Sequence, residues 1–146
     1  MIITEIESKE REDIIKEMVH FIKKRNKINK EKDLYEKLLQ REKLGSTAIG
    51  GGVAIPHCKI KGLKEPIVML AVSFNGVNFY SLDGKPSYIF FLVVSSPDNP
   101  SVNLQILAAI AHLVRKSNSL LKKILEAKIP SSILDVIREE EEKIND

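Results

Sequence analysis

Ile67-Val-Met-Leu-Ala-Val-Ser-Phe74 and Ser87-Tyr-Ile-Phe-Phe-Leu-Val-Val94 are the two stretches that decide the fold. Both are short apolar runs rich in β-branched and aromatic residues, bounded by turn signals. They read as strands buried on both faces, and such strands need helices above and below their sheet. Asn75-Gly76 and Asp83-Gly84 supply the turns, leaving Val77 to Tyr80 as a short strand between them.

Working outward, Gly45 to Gly52 holds four glycines and Ile49 as its one long apolar side chain, which predicts a loop. The short run Val53-Ala-Ile55 follows and stops at Pro56. Upstream, Ser8 can cap a helix running to about Arg25, with Ile14, Ile15, Met18, Phe21 and Ile22 as its apolar stripe. His20 lies off that stripe and reads as a solvated residue. Asn29 can cap a second helix that turns Leu34, Leu38 and Leu39 inward. Between them, Lys23 to Lys32 carries six positive charges against one negative, the pattern of a solvated helix end or of a patch that steers an acidic partner.

Downstream, Asn99-Pro100 predicts a cap with proline at the first helical position, and Leu104, Leu107, Ala108 and Ala111 give helical spacing to about Lys116. A short helix over Ser119 to Ala127 follows. Ser132-Ile-Leu-Asp135 then resembles a capping box opening a last helix that frays into Glu139 to Glu142. Two helices, three or four strands and three helices predict one α/β domain over residues 1–146, a three-layer α/β/α sandwich with a mixed sheet.

Composition narrows the functions open to such a domain. Hydrophobic residues are 43% and charged residues 29% of the 146, as in ordinary folded proteins. A net charge of +3, aromatics at 5% and no Trp argue against nucleic-acid binding. The longest apolar runs are too short to span a bilayer, so no membrane insertion is expected, and the acidic N-terminus has no signal-peptide pattern. The single Cys58 excludes an intramolecular disulfide and suggests a reducing compartment. A cytoplasmic location follows by elimination.

Three histidines are present, and His57 stands apart through its neighbours. Pro56 fixes its own φ and biases Ile55 toward extended backbone, which places the next side chain at the end of a strand on the sheet's rim. Imidazole suits reversible phosphoryl transfer, because near neutral pH one ring nitrogen is unprotonated and nucleophilic. Glycine-rich turns or a helix N-terminus supply N–H groups for phosphate oxygens. On spacing alone, Pro-His at a strand end is more often the pattern of a structural or incidental histidine. Cys58 beside it invites a hydrolase reading, but consecutive residues of extended chain point apart. No ligand spacing for zinc is present.

The stretch Arg41-Glu-Lys-Leu-Gly-Ser-Thr-Ala-Ile-Gly-Gly-Gly-Val-Ala-Ile-Pro-His57 resembles the signature of the enzyme IIA domains of the bacterial phosphoenolpyruvate phosphotransferase system, in the fructose/mannitol and nitrogen-regulatory branch. Leu82-Asp-Gly-Lys-Pro86 and Leu104-Gln-Ile-Leu-Ala108 are similar to that family too, and the resemblance runs along essentially the whole chain. It implies that His57 is the phosphorylated histidine, accepting through Nε2, and that Arg41 is the active-site arginine that pairs with phosphate oxygens. Ser46 and Thr47 match the family's Ser-Thr pair, either as donors around the site or as ordinary loop caps. Many members carry a second histidine where this chain has Asn103, a residue that can donate through its amide but cannot carry charge. His112 is nine residues further along the helix and does not replace it.

The resemblance implies a phosphotransferase component without cofactor or metal. It would take phosphate from a histidine phosphocarrier such as HPr and give it to a cysteine of a IIB domain during sugar uptake. Ile49, Val53 and Ile55 are the candidate partner surface, with core packing as their other reading. The alternative is a nitrogen-regulatory switch, in which the charge added to His57 alters binding to a regulatory protein without further transfer.

Overall fold

The computed structural model describes residues 1–25 and 28–145, in the order β1 (Ile2–Ile3), α1 (Arg11–Lys24), α2 (Glu31–Leu44), β2 (Ala48–Gly50), β3 (Val53–Ala54), β4 (His57–Lys59), β5 (Ile67–Val77), β6 (Ser87–Ser95), α3 (Pro100–Lys116), α4 (Leu120–Ala127) and α5 (Pro130–Asn145). The sheet order is β1-β5-β6-β3-β2, and β4 also pairs with β6. The two strands read first lie at its centre as an antiparallel pair. β3 and β4 run parallel to β6, and β1 parallel to β5, so the sheet is mixed.

Alternation along the central strands sorts the core into two layers. Met69, Ala71, Phe90, Leu92 and Val94 pack against α1 and α2, through Ile14, Ile15, Met18, Ile22, Leu34 and Leu38. Leu70, Val72, Ile89 and Phe91 pack against α3, α4 and α5, through Leu113, Leu120, Ile124 and Ile133. The fold is the expected three-layer α/β/α sandwich. Phe79 and Phe90 meet edge to face at 5.1 Å in the first layer, a geometry that aromatic quadrupoles favour.

Several local expectations are corrected. Gly45 to Gly52 is not all loop, because Ala48–Gly50 forms β2 and pairs antiparallel with β3. Positive φ at Gly50, Gly51 and Gly52 makes the turn, and a Cβ at Gly52 would stand 2.8 Å from Leu121 Cδ2. Asn75-Gly76 does not divide two strands. β5 runs through it as a bulge, since Val72 pairs with Ile89 and Val77 with Ser87, and the Ser73 hydroxyl takes the Gly76 N–H at 3.1 Å. Of Val77 to Tyr80, Val77 ends β5 and Asn78 bridges to Glu10. Asp83-Gly84 is a turn as expected.

The helix ends shift as well. α1 starts after Glu10, and Ser8 instead gives its backbone N–H, at 2.7 Å, and its hydroxyl to the Glu17 carboxylate. α2 starts after Lys30, one residue beyond Asn29. Of the basic stretch Lys23 to Lys32, Asn26 and Lys27 lie outside the described residues. In α3 the inward positions are Asn103, Leu107, Ile110 and Leu113, while Leu104 is exposed. α5 opens at Pro130, ahead of Ser132, and does not fray at Glu139 to Glu142. Glu140 is buried there and accepts hydrogen bonds from Ser117 (2.9 Å) and Lys123.

Candidate functional site

His57 opens β4, in register with Val93 of β6. Residues paired in neighbouring strands share a face, so His57 looks toward the α3 layer. Cys58 alternates to the other face and packs against the α1/α2 core. Burial pushes its thiol up to about 12, which leaves no thiolate for nucleophilic attack near neutral pH.

The His57 ring is half-buried, and its Nδ1 lies 2.7 Å from the Ile55 carbonyl oxygen. A carbonyl only accepts, so Nδ1 carries the proton and the lone pair of the neutral ring sits on Nε2. Burial lowers the basicity of the imidazole below the ordinary histidine value. The bond to Ile55 opposes that shift, and the charges of Arg41 and Lys59 add to it. The ring is therefore kept neutral, with one nucleophilic nitrogen.

Arg41 stands in the last turn of α2, half-exposed, and donates from Nη1 to the Gly45 carbonyl oxygen at 2.7 Å. Among the described residues that is its one hydrogen bond, and the rest of its five-donor fork is suited to an anion.

Asn103 lies in the first turn of α3 and is buried. Its Oδ1 accepts from the Ser95 hydroxyl at 2.8 Å. Ser95 pairs with Lys59, two residues along the strand from the His57–Val93 pair, and faces the same layer as His57. The N-terminus of α3 is thus tied to the sheet beside the imidazole. The amide nitrogen of Asn103 meets no acceptor among the described residues and is the group left to donate.

Ser46 and Thr47 have both hydroxyls in use within the protein. Ser46 donates to the Phe79 carbonyl oxygen at 2.6 Å and accepts from the Ala48 N–H at 3.1 Å. Thr47 donates to Glu42 Oε2 at 2.6 Å, and its N–H goes to Glu42 Oε1 at 2.9 Å.

The apolar surface needs correcting. Ile49 is 52% exposed, but Val53 at 4% and Ile55 at 7% belong to the α3–α5 core and offer nothing to a partner. Leu44, Leu82 and Leu104, at 86%, 101% and 66%, are the exposed apolar side chains near the signature loop and the start of α3. Sequence reading passed over them because their helical or turn positions are no different from those of buried leucines.

His20 is exposed on α1. His112 lines a cavity of about 380 Å³ between α3, α5 and the β1–β5 edge, with Val68, Phe91 and Leu134. Neither belongs to the His57 site. Among the described residues no group of three or more His, Cys, Asp or Glu is placed to hold a metal ion, and no helix is long and apolar enough to cross a membrane.

Sequence reading also missed Glu42. It is 2% exposed, and burial raises its carboxyl above the ordinary range, opposed by the two Thr47 bonds and by the charges of Arg41 and Arg11. A lone acid near a helix end reads as solvated. Its value shows only once the chain doubles back to place Thr47 on it.

Comparison with known proteins gives the geometry a context. The family model described as "Phosphoenolpyruvate-dependent sugar phosphotransferase system, EIIA 2" matches residues 1–140. The chain is 35% identical over 134 residues to a "PTS system fructose-specific EIIABC component" of Bacillus subtilis, covering 92% of this chain and 21% of that protein. It is 37% identical over 107 residues to a "Nitrogen regulatory protein" of Bradyrhizobium diazoefficiens, covering 73% of this chain and 69% of the other. The chain thus spans about a fifth of the length of the first relative. Among solved structures, enzyme IIA mannitol of Escherichia coli, in complex with phosphorylated enzyme IIB mannitol, superposes with a TM-score of 0.76 at 15% identity, over 94% of this chain and 93% of that one. That likeness is one of fold.

Proposed function

The chain belongs to the EIIA 2 family of the phosphoenolpyruvate-dependent sugar phosphotransferase system, and from that premise we propose that it carries a phosphoryl group on Nε2 of His57. The donor is a phosphohistidine carrier protein of the HPr type, and the acceptor a cysteine of a IIB domain, both in the cytoplasm. The observation that carries this reading is the 2.7 Å contact between Nδ1 and the Ile55 carbonyl, which leaves the Nε2 lone pair as the ring's one nucleophile.

The step balances simply. Nε2 attacks phosphorus as the donor's N–P bond breaks, and the donor nitrogen leaves with the electron pair. Charge stays on the three equatorial oxygens, so the protein's work is positioning and electrostatic stabilisation. The Arg41 fork, the Asn103 amide and the N–H groups opening α3 are suited to hold those oxygens. The bond from Nδ1 to Ile55 survives phosphorylation and steadies the positive charge then shared by the ring. The test is incubation with phosphoenolpyruvate, enzyme I and HPr, then location of the acid-labile phosphate on His57.

One pH consequence follows. Acceptance needs the neutral ring, and the folded pKa lies below the ordinary 6.5. The rate at saturating donor is expected to fall to half its plateau only below 6.5, read as a profile of single-turnover phosphorylation. For stability the sign is the same: the unfolded chain binds the proton more readily, so stability present above 6.5 is lost as pH falls through the folded value. A rate that halves above 6.5 would contradict a depressed pKa.

Asn103 supplies a second expectation. Asn103→His would put a chargeable donor beside the phosphate, raising the acceptance rate or moving its pH optimum. An unchanged profile would place this position away from the phosphate.

A regulatory reading is favoured by one observation, the identity of 37% with a nitrogen regulatory protein. There the phosphate would be kept, and its added charge of about −1.5 to −2 would change the affinity for a regulatory protein. Rapid loss of the label to a IIB cysteine supports the carrier. Retained label, with different binding by the two states, supports the switch.

A further inference from the structure

We propose that Glu42 is a positioning residue for His57, acting through a ladder of hydrogen bonds that selects which nitrogen of the imidazole is free. The ladder starts at the buried carboxylate of Glu42, which takes the Thr47 N–H at 2.9 Å and the Thr47 hydroxyl at 2.6 Å. The Thr47 carbonyl oxygen accepts the Ile55 N–H at 3.1 Å. The Ile55 carbonyl oxygen in turn accepts Nδ1–H of His57 at 2.7 Å. Each step passes from a residue's N–H to its own carbonyl across its Cα, and every donor in the ladder points toward Glu42.

The N–H and C=O of one residue belong to different planar peptide groups, so what the ladder passes on is position. The charge-assisted pair on Thr47 fixes the strand pairing that carries Ile55, and the Ile55 carbonyl is the one that holds the proton on Nδ1. Free imidazole prefers the opposite tautomer, with the proton on Nε2, where the lone pair would face the Ile55 carbonyl and leave no nucleophile outward. Holding the Nδ1–H form therefore requires a fixed and strong acceptor. Gly45 N–H bonds back to the Glu42 carbonyl at 3.1 Å, and Arg41 closes the same turn on the Gly45 carbonyl. The turn that carries Thr47 is thus held from Glu42 on both backbone and side chain. Pro56 has no N–H of its own, and its carbonyl is taken by the Val93 N–H at 3.0 Å, so the segment from Ile55 to His57 is fixed at both ends.

This inference rests on His57 being the phosphoryl acceptor for its functional meaning, but its physical content is tested without phosphate. In protein labelled with ¹⁵N at histidine, at a pH where the ring is neutral, the His57 nitrogens report the tautomer directly. The wild-type chain is expected to show the Nδ1–H form. Glu42→Gln keeps the shape and removes the charge, and is expected to move the ring nitrogens toward the Nε2–H form. Phosphoryl acceptance should fall by about tenfold, with the KM for the donor unchanged. Thr47→Val, isosteric at the other end of the first link, should move the spectrum the same way, and Thr47→Ser should restore it. A Nε2–H tautomer in the wild-type chain would overturn the ladder, as would unmoved ring nitrogens in folded Glu42→Gln and Thr47→Val, which would leave Glu42 a purely structural residue. Labelling of His57 by the phosphorelay is scored separately. Shifted nitrogens in a chain that takes no phosphate would uphold the ladder and sink the carrier reading.

Discussion

Replacing His57 by Gln is expected to reduce phosphoryl acceptance to background while the protein stays folded. Glutamine has a similar reach but no nitrogen with an available lone pair, so no N–P bond can form. Among the described residues the hydrogen bond it loses is the Nδ1 contact with Ile55, worth about 1 kcal/mol. The neighbouring nucleophile cannot take over, because the Cys58 thiol, pushed up to about 12 by burial, faces the opposite layer. His20→Gln and His112→Gln are expected to label as the unaltered chain does, since one is solvated on α1 and the other lines the cavity behind α3. Labelling from phosphoenolpyruvate through enzyme I and HPr, with the thermal transition recorded beside it, makes the check. Acid-labile phosphate surviving in the His57→Gln protein would remove the assignment.

The layers were legible because burial on both faces writes itself into Ile67 to Phe74 and Ser87 to Val94 as unbroken apolar runs. The bulge at Gly76 was not, because Asn-Gly is the same signal whether a strand reverses or only swells. β2 was hidden for a related reason. Glycine is permissive enough to form the hairpin, and pairing across Ala48–Ala54 is invisible in a stretch with almost no side chains to alternate. His57 and Asn103 were named together by a resemblance that spans the chain, and the structure links Asn103 to Ser95, on the sheet face that His57 shares. Val53 and Ile55 were misread because an apolar residue beside a reactive one looks the same whether it meets the core or a partner. The pairing of β3 with β6 decides it for Val53, and burial in the α3–α5 core decides it for Ile55. Thr47 and Glu42 were illegible as a pair, since a contact across a turn has no periodicity.

Arg41 tests whether the site is built for an anion or only holds a histidine. Arg41→Ala is expected to slow acceptance by about 10²–10³-fold, the usual cost of losing a preorganised stabiliser of developing charge. In the resting protein this guanidinium acts against protonation of His57, and its charge is one cause of the depressed basicity. On the proposed carrier reading, a phosphoryl group on Nε2 brings three anionic oxygens to the same charge and makes it attractive, the differential interaction that lowers a barrier. Two readouts should therefore move together. The rate falls, and the midpoint of the His57 titration rises toward the ordinary 6.5, followed by NMR of the ring protons. Arg41→Lys should restore the midpoint more fully than the rate, because an ammonium supplies charge but no planar fork. The bond to the Gly45 carbonyl is lost in the alanine variant, and the thermal transition records that cost, about 1 kcal/mol, separately. Should the rate hold within a few-fold while the titration midpoint moves, Arg41 would be a neighbour of the imidazole that never meets the phosphate, and the anion would have to be held from the α3 side alone.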